Sequence, residues 1–233
     1  MILNSELILN PDGSIFHLHL KPGQVSDTII LVGDPDRVSV FENFLYDIEF
    51  KVSNREYVSL TGKYNKKRIT VVSTGVGVGN IDIVINELDA LVNIDFETRE
   101  IKDNITKLNF IRIGTSGSLQ KEIDVNSFVI SSKSIGLDNL LYFYQNSNQI
   151  VNSEITKELN SFLEMDQGKV IPYVVDASEN LLNILNSDKT YAGMTVTSPG
   201  FYVPQGRELR LDVFYKNLNE KFSTFSFNGL KIA

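Results

Sequence analysis

The sequence contains no cysteine and no tryptophan, and it has only 2 histidines in 233 residues. Without cysteine, disulfides, thiolate catalysis and zinc–thiolate sites are excluded, a reducing interior is permitted, and the cytoplasm is the expected location. His17 and His19 stand two residues apart and would share one face of a strand. Two such ligands without an adjacent carboxylate make a poor metal site, so each histidine is expected to be structural.

Long apolar runs are also absent, since no segment approaches the roughly 20 residues of a membrane span. The N-terminal residues 1–6 lack the basic region and apolar stretch of a secretory signal. The 22 basic and 29 acidic residues give a formal charge of −7, which argues against nucleic acid as the main partner. A local basic pocket for a small anion remains compatible with this charge. Length and composition predict one globular α/β domain over residues 1–233.

Short β-branched runs alternate with amphipathic segments along the chain. Strands are predicted at 28–32, 67–73, 109–113, 127–131, 170–175 and 191–197, and helices at 38–45, 81–92, 153–165, 178–186 and 208–219. This order predicts a mixed sheet with helices on both faces. Ligands of such sheets bind at the carboxyl ends of strands, where the loops of this chain are rich in glycine and arginine.

The first of these loops is Gly33-Asp34-Pro35-Asp36-Arg37, directly after the first strand. Asp34 is a suitable helix cap and Pro35 suits the first helical turn. The free backbone N–H groups of that turn, together with Arg37, are suited to an anion. The alternative is a capped helix that carries Arg37 on its surface.

The second loop, residues 73–80, contains three glycines at Gly75, Gly77 and Gly79. Three glycines let the backbone approach a ligand that a Cβ would exclude, whereas a plain tight turn needs only one. The spacing is G-x-G-x-G, not the G-x-G-x-x-G of a dinucleotide site, and Asp95 gives that reading only weak support.

The third loop follows Arg112 and contains Gly114, Thr115, Ser116 and Gly117. Hydroxyls, backbone N–H groups and a guanidinium are the groups that bind phosphate. Arg112 sits in an otherwise apolar strand, where its charge is costly unless it pairs with an anion or with an internal carboxylate. Both pairings remain open.

The fourth loop, residues 198–207, carries Phe201, Tyr202, Gln205 and Arg207. An aromatic ring stacks on a planar ligand while an amide and a guanidinium hydrogen-bond to the edge of that ligand. The alternative is a packed turn without a ligand.

Taken together and in this order along the chain, these loops resemble those of the uridine phosphorylase branch of the nucleoside phosphorylase family. The resemblance extends over essentially the whole length of the sequence. The resemblance is carried by 16–18, 33–37, 54–57, 73–77, Glu87-Leu88, 112–117 and 201–207. It implies a three-layer α/β/α sandwich around a mixed, partly barrel-like sheet. It also implies a pentosyltransferase that cleaves uridine with inorganic phosphate to uracil and ribose 1-phosphate, with no organic cofactor.

The resemblance implies roles for individual residues. The phosphate-binding residues would be Gly33, Arg37, Arg55, Arg112 and Thr115, and the nucleoside-binding residues would be His17, Thr115, Ser116, Gly117, Phe201, Gln205 and Arg207. Arg112, Gln205 and Arg207 would be catalytic. Arg55 and His17 would come from a neighbouring subunit, with His17 beside the ribose 5′-hydroxyl. A homodimer would be the minimum unit, within hexamers in bacterial members, and some members bind a monovalent cation near the position of Glu56.

Two departures from the family pattern are visible. Gly79 and Asn80 stand where the family has proline or alanine and then serine. Residues 228–233 read as a strand that in the family leads into a ribose-binding Glu-Met-Glu segment, so the chain is expected to lack its C-terminal part. The alternatives are therefore a purine nucleoside phosphorylase or a non-catalytic nucleoside- or phosphate-binding fragment. A nucleoside hydrolase, which uses water, would not need Arg37, Arg55 and Arg112.

Overall fold

A computed structural model describes residues 1–165 and 170–233. The chain forms two compact units, Met1–Thr115 and Ser116–Ala233, and each is described by itself. The predicted mixed α/β fold is confirmed, while the single domain over 1–233 stays a prediction. Among the described residues, no helix combines the length and the apolar character that crossing a bilayer requires.

The first unit is built around a five-stranded mixed sheet with the order β2-β3-β4-β1-β7. Its elements are β1 (Thr28–Val32), α1 (Pro35–Val40), β2 (Tyr46–Asn54), β3 (Tyr57–Tyr64), β4 (Lys67–Ser73), α2 (Val78–Asn93), β5 (Ile94–Asp95), β6 (Glu100–Ile101) and β7 (Asn109–Ile113). β1 pairs in parallel with β4 and β7, and β3 is antiparallel to β2 and β4. The loops after β1 and β7 therefore emerge at one edge of the sheet.

Alternation along the central strands explains how helices cover this sheet. Ile29 and Leu31 pack in one apolar cluster with Leu88 of α2. Val32 and Val71 pack in a separate cluster with Val38 of α1. Because successive side chains of a strand point to opposite faces, the two helices cover opposite faces of the sheet. The first unit is thus a three-layer arrangement of helix, sheet and helix.

The hairpin of β2 and β3 was not predicted from the sequence. Asn54 pairs with Tyr57, so Arg55 and Glu56 form a two-residue turn. Such turns favour Asn-Gly or Asp-Gly, which is absent here. β2 itself carries a strand signal, because its apolar residues Tyr46, Ile48, Phe50 and Val52 stand at every second position. The turn that joins this edge strand to β3 is what lacks a local signal.

The second unit contains a three-stranded sheet with the order β10-β8-β9. Its elements are β8 (Phe128–Gly136), α3 (Ser153–Leu163), β9 (Tyr173–Asp176), α4 (Glu179–Leu185), β10 (Thr190–Thr197), α5 (Leu218–Thr224), β11 (Ser226–Phe227) and β12 (Leu230–Lys231). β8 is parallel to β10 and antiparallel to β9. Leu159 of α3, Met194 of β10 and Phe222 of α5 share one apolar core.

The predicted helix over 208–219 is wrong, because the chain is irregular up to Asn217 and α5 begins at Leu218. Leu209 and Leu211 are 75% and 66% exposed, so a helix here would have no apolar face to bury. Asn217 itself has a φ of 55°, which no α-helix accommodates.

Other predicted bounds also shift. The helix expected at 38–45 begins earlier, at Pro35, and gives way to a 3₁₀ helix at Phe41–Asn43. The strand expected over 228–233 is shorter, because Asn228 and Gly229 have φ values of 49° and 80° and form the turn between β11 and β12.

Candidate active site

The carboxyl ends of β1 and β7 carry the two arginines that the sequence singles out. Val32 pairs with Ile113 and Leu31 with Arg112 in the parallel register. Gly33 and Gly114, the residues that follow these strands, therefore lie side by side at one sheet edge. The topology brings together two loops that are about 80 residues apart in the sequence.

The start of α1 is capped as predicted. The Asp34 carboxylate accepts a hydrogen bond of 2.9 Å from the backbone N–H of Asp36, and Pro35 occupies the first turn. The side chain of Arg37 reaches across to β7, where Nη1 makes a long contact of 3.5 Å with the carbonyl oxygen of Ile113. Arg37 is therefore half-buried beside β7 and does not extend freely into solvent.

Arg37 and Arg112 converge on Gly33. A methyl group at Gly33 would lie 3.9 Å from Nη2 of Arg37 and 4.0 Å from Nη2 of Arg112. In the described part of the chain, no carboxylate forms an ion pair with either guanidinium. The internal carboxylate partner considered for Arg112 is thus not found among these residues.

Two like charges held close together leave an unfavourable field at this edge of the sheet. Partial desolvation and the neighbouring charge of Arg37 lower the pKa of Arg112 from its ordinary value. The side chain of Arg112 is nevertheless exposed to the open pocket. A dianion placed between the two guanidiniums would offset their repulsion and accept charge-assisted hydrogen bonds from both.

The glycine loop between β4 and α2 forms the facing wall. Gly75 and Gly77 have φ values of 67° and 97°, a region that residues with a Cβ rarely adopt. A Cβ at Gly75 would also lie 2.7 Å from Asn80 Nδ2 and 2.9 Å from Glu56 Cγ, whereas one at Gly79 would meet nothing within 4 Å. The backbone therefore requires two of the three glycines.

The two arginines and the glycine loop line one pocket of about 710 Å³. This volume lies within the usual range of small-molecule sites, roughly 300–1,000 Å³. The lining residues are Gly33, Asp34, Pro35, Arg37, Glu56, Gly75, Val76, Gly77, Asn80, Arg112 and Thr115. Four of the five residues predicted to bind phosphate are thus brought together, and Arg55 is not among the lining residues.

Asn80, one of the departures from the family pattern, links the glycine loop to the β2–β3 turn. Its Nδ2 donates to Glu56 Oε1 at 3.2 Å and to the Val76 carbonyl at 3.1 Å. Its Oδ1 accepts from the Tyr57 hydroxyl at 3.1 Å. Burial and the charge of Glu56 raise the pKa of Tyr57, so the phenol remains a donor. Oε1 of Glu56 thus already accepts a hydrogen bond from the Asn80 amide. A monovalent cation near Glu56 stays a prediction.

The loop at 201–207 belongs to the second unit and gathers the three residues expected to contact a base. Nη1 of Arg207 donates to the Phe201 carbonyl at 2.8 Å and to Gln205 Oε1. The guanidinium carbon of Arg207 lies 4.2 Å from the centroid of the Phe201 ring. Phe201 remains 58% exposed, so the loop is not simply a packed turn. Ser116 and Gly117 are exposed at the start of this unit.

The family model of the Phosphorylase superfamily matches residues 27–221, which include the lining residues of the pocket and the loop at 201–207. The chain belongs to the phosphorylase superfamily. It is 28% identical over 217 residues to a uridine phosphorylase from Thermococcus kodakarensis, covering 93% of this chain and 64% of that protein. It is 38% identical over 116 residues to a DeoD-type purine nucleoside phosphorylase from Alkaliphilus metalliredigens, covering 49% of this chain and 44% of that protein. The chain thus spans less than two thirds of the length of these relatives.

Solved phosphorylase structures share the fold. A Trypanosoma brucei nucleoside phosphorylase, described as showing uridine phosphorylase activity, aligns with a TM-score of 0.79 and 27% identity over 97% of this chain and 81% of that one. A uridine phosphorylase from Phytophthora capsici aligns with a TM-score of 0.57 and 23% identity over 95% of this chain and 74% of that one. The second likeness concerns the fold alone.

His17 and Arg55, which the resemblance places in a neighbouring subunit's site, lie close together in this superfamily member. The Arg55 guanidinium carbon is 5.4 Å from the centroid of the Phe16 ring, and that ring packs edge-on against His17. The expectation that His17 and His19 share a strand face is wrong: His17 lies in a turn and His19 in the irregular segment after it. Glu87, which the resemblance includes without a role, contacts this turn.

The guanidinium of Arg112 occupies the space that a side chain at Gly114 would need. A methyl group at Gly114 would lie 2.2 Å from Nη1 of Arg112, so Gly114→Ala must displace the guanidinium. If the pocket binds phosphate for phosphorolysis, kcat/KM for phosphate should fall by about tenfold to a hundredfold, because a displacement of about 1 Å is costly in a catalytic site. The melting temperature should hardly change, since only the end of a flexible side chain moves.

Gly79→Ala is the matched control for this substitution. A methyl group at Gly79 meets nothing within 4 Å, and alanine in a helix is favoured over glycine by about 0.5–1 kcal/mol. Steady-state kinetics with varied phosphate and thermal unfolding of both variants would check the prediction. Equal phosphate kinetics for Gly114→Ala and wild type would show that the observed position of Arg112 does not matter.

Proposed function

We propose that this chain is a nucleoside phosphorylase of the uridine type, a pentosyltransferase that converts uridine and inorganic phosphate to uracil and ribose 1-phosphate. The observation that carries the proposal is the convergence of Arg37 and Arg112, without a carboxylate partner in the described residues, on a pocket that Thr115 also lines. Their arrangement suits an anion with several oxygens. Because the chain belongs to the phosphorylase superfamily, we infer that this anion is the phosphate of a phosphorolysis reaction.

The chemistry suits these side chains. A phosphate oxygen attacks C1′ of the ribose while the bond from C1′ to the base nitrogen breaks, and its electron pair leaves with the base. Arg37, Arg112 and Thr115 would hold the phosphate dianion beside the positive charge that develops on the sugar. Each charge-assisted hydrogen bond contributes about 1.5–3 kcal/mol. No organic cofactor takes part in this reaction.

The uracil would be bound by the loop at 201–207. Phe201 offers an exposed ring for the face of the base, and Gln205 and Arg207 offer an amide and a guanidinium for its edge. In the observed loop Arg207 donates hydrogen bonds to the Phe201 carbonyl and to Gln205 Oε1, and these two contacts orient the guanidinium. The oriented guanidinium would stabilise the negative charge that moves onto the departing uracil. A uracil edge, with its carbonyl oxygens and N–H, matches this pair.

We further propose that a second copy of the chain completes the site through Arg55 and His17. Arg55 has a φ of 54° at the tip of the β2–β3 hairpin, a conformation that costs a non-glycine residue about 1–3 kcal/mol. Arg55 is also exposed and is not among the residues that line the pocket of its own chain, so its charge is available to a second copy. The neighbouring His17 belongs to the same surface. The hexameric assembly and the cytoplasmic location stay predictions.

Complementation between two inactive variants would test the shared site. We expect Arg55→Ala and Arg112→Ala each to be nearly inactive, and equal amounts allowed to assemble together to regain about a quarter of wild-type activity. Half of the randomly formed dimers are mixed, and each mixed dimer keeps one intact site of two. Activity that stays at the level of the separate variants after verified subunit exchange would contradict the shared site.

The proposed reaction is tested by following uracil release from uridine with and without phosphate. Release that depends on phosphate supports a phosphorylase, while equal release without phosphate rejects it. The second candidate is a purine nucleoside phosphorylase, because of the 38% identity to such an enzyme over about half of the chain. Phosphate-dependent cleavage of inosine instead of uridine would indicate this second function. Binding heat without turnover of either nucleoside would instead indicate a non-catalytic binder.

A further inference from the structure

Glu87, on the first-unit helix α2, holds the turn that contains His17. Its carboxylate accepts hydrogen bonds from the backbone N–H of His17 at 3.0 and 3.1 Å and from that of Leu18 at 2.8 Å. Its Oε1 also lies 2.6 Å from Nδ1 of the His17 ring. Asn54 fixes the other side of the turn by donating to the His17 carbonyl at 2.7 Å. The side chain of Glu87 is only 12% exposed, so water competes little for these bonds.

These contacts determine which ring nitrogen of His17 carries the proton. An ionised carboxylate only accepts hydrogen bonds, so the ring nitrogen facing it, Nδ1, must be the donor. In the neutral imidazole, Nε2 is then an acceptor with a free lone pair. Nε2 has no hydrogen-bond partner within the described residues, and the His17 side chain is 25% exposed. The ring thus presents an acceptor to an incoming hydroxyl.

We propose that Glu87 is a positioning residue that orients His17 and fixes its Nε2 as the acceptor for the 5′-hydroxyl of the ribose bound by a second copy of the chain. This inference rests on the proposed function. Glu87 does not touch substrate and acts only through the turn and the ring of His17. A carboxylate is required because three N–H groups point at it, whereas a glutamine offers one acceptor oxygen and an NH₂ group that faces donors.

The kinetic test compares uridine with 5′-deoxyuridine, which lacks the hydroxyl. Glu87→Gln is expected to lower kcat/KM for uridine by about tenfold, equivalent to about 1.4 kcal/mol, the size of one hydrogen bond. It should leave kcat/KM for 5′-deoxyuridine within about twofold of wild type, and it should add nothing in a His17→Ala background. Glu97→Gln, at an exposed position, is the matched control and should change neither substrate.

A spectroscopic test is independent of turnover. The chain has only 2 histidines, so the imidazole ¹⁵N shifts of labelled protein at alkaline pH report the tautomer of His17 directly. We expect a proton on Nδ1 in the wild type and loss of that preference in Glu87→Gln. A wild-type ring protonated on Nε2, or a Glu87→Gln variant that slows both nucleosides equally, would overturn the positioning role. Absence of phosphorolysis in the wild type, with the expected tautomer, would instead reject the proposed function.

Discussion

Arg112→Ala is expected to lower kcat/KM for phosphate by about 10²–10³-fold, the usual effect of removing one preorganised donor that stabilises a transition state. Arg112 contributes one of the two guanidiniums that converge on Gly33. Its loss would remove hydrogen bonds to the attacking phosphate and leave Arg37, together with Arg55 of a second copy, to balance the dianion. Steady-state kinetics with varied phosphate at saturating uridine would measure the effect.

The same substitution should not destabilise the protein. In the described residues Arg112 has no carboxylate partner, and the neighbouring charge of Arg37 helps to lower its pKa. Removing it therefore relieves repulsion in the absence of phosphate, and the melting temperature should stay the same or rise slightly. Phosphate should raise the melting temperature of the wild type and have little effect on the variant.

Two further substitutions make this result interpretable. Arg112→Lys keeps the charge but loses the planar fork that binds two oxygens together, so its activity should lie between those of wild type and Arg112→Ala. Arg210→Ala removes an exposed arginine outside the pocket and should leave the kinetics unchanged. If Arg112→Ala and Arg210→Ala have equal kcat/KM for phosphate, the assignment of the pocket to phosphate is wrong.

Arg207→Ala is expected to lower kcat on uridine by on the order of 10²–10³, because the charge on the departing uracil loses its donor. In contrast to Arg112→Ala, it should leave KM for phosphate nearly unchanged. Rates with uridine at saturating phosphate would give the loss in kcat. Near-normal turnover of uridine by Arg207→Ala would remove this residue from the mechanism.

A substrate with a better leaving group provides a control for this second prediction. 5-Fluorouracil holds negative charge more easily than uracil, so 5-fluorouridine depends less on a donor at the base. Its rate should therefore fall less than that of uridine in Arg207→Ala. An equal loss for both nucleosides would indicate that Arg207 only holds the loop, where it is bonded to Phe201 and Gln205.

The central part of the first unit was predictable from the sequence because its signals are local. β1 is a continuous apolar run that matches its predicted bounds, and the Asp34 cap and Pro35 mark the start of α1. The convergence of the loops after β1 and β7 follows from the rule that parallel strands end at one sheet edge. The four pocket residues that are expected to bind phosphate all lie at the ends of these strands, in the loops that follow them or in the first turn of α1; they are Gly33, Arg37, Arg112 and Thr115.

What could not be predicted depends on tertiary contacts. The turn between β2 and β3 has no strong sequence signal, although the alternation within β2 does predict a strand. The exposure of Leu209 and Leu211, which leaves the segment at 208–219 without a buried helix face, is visible only in the structure. Glu87 belongs to the residues that carry the family resemblance, but nothing in the sequence assigns its carboxylate a partner. Its partner His17 is 70 residues away, so no spacing rule connects them. The contacts of Asn80 are equally non-local.

The amide of Asn80 has a consequence for assembly. It joins Val76 of the glycine loop to Glu56, next to Arg55 at the hairpin tip. If that tip completes the site of a second copy, ordering one segment helps to order the other, and phosphate binding and self-association become reciprocally coupled. If phosphate raises the association constant of the subunits by a given factor, association must raise the affinity for phosphate by the same factor. The subunit concentration would then act as an effector of the enzyme.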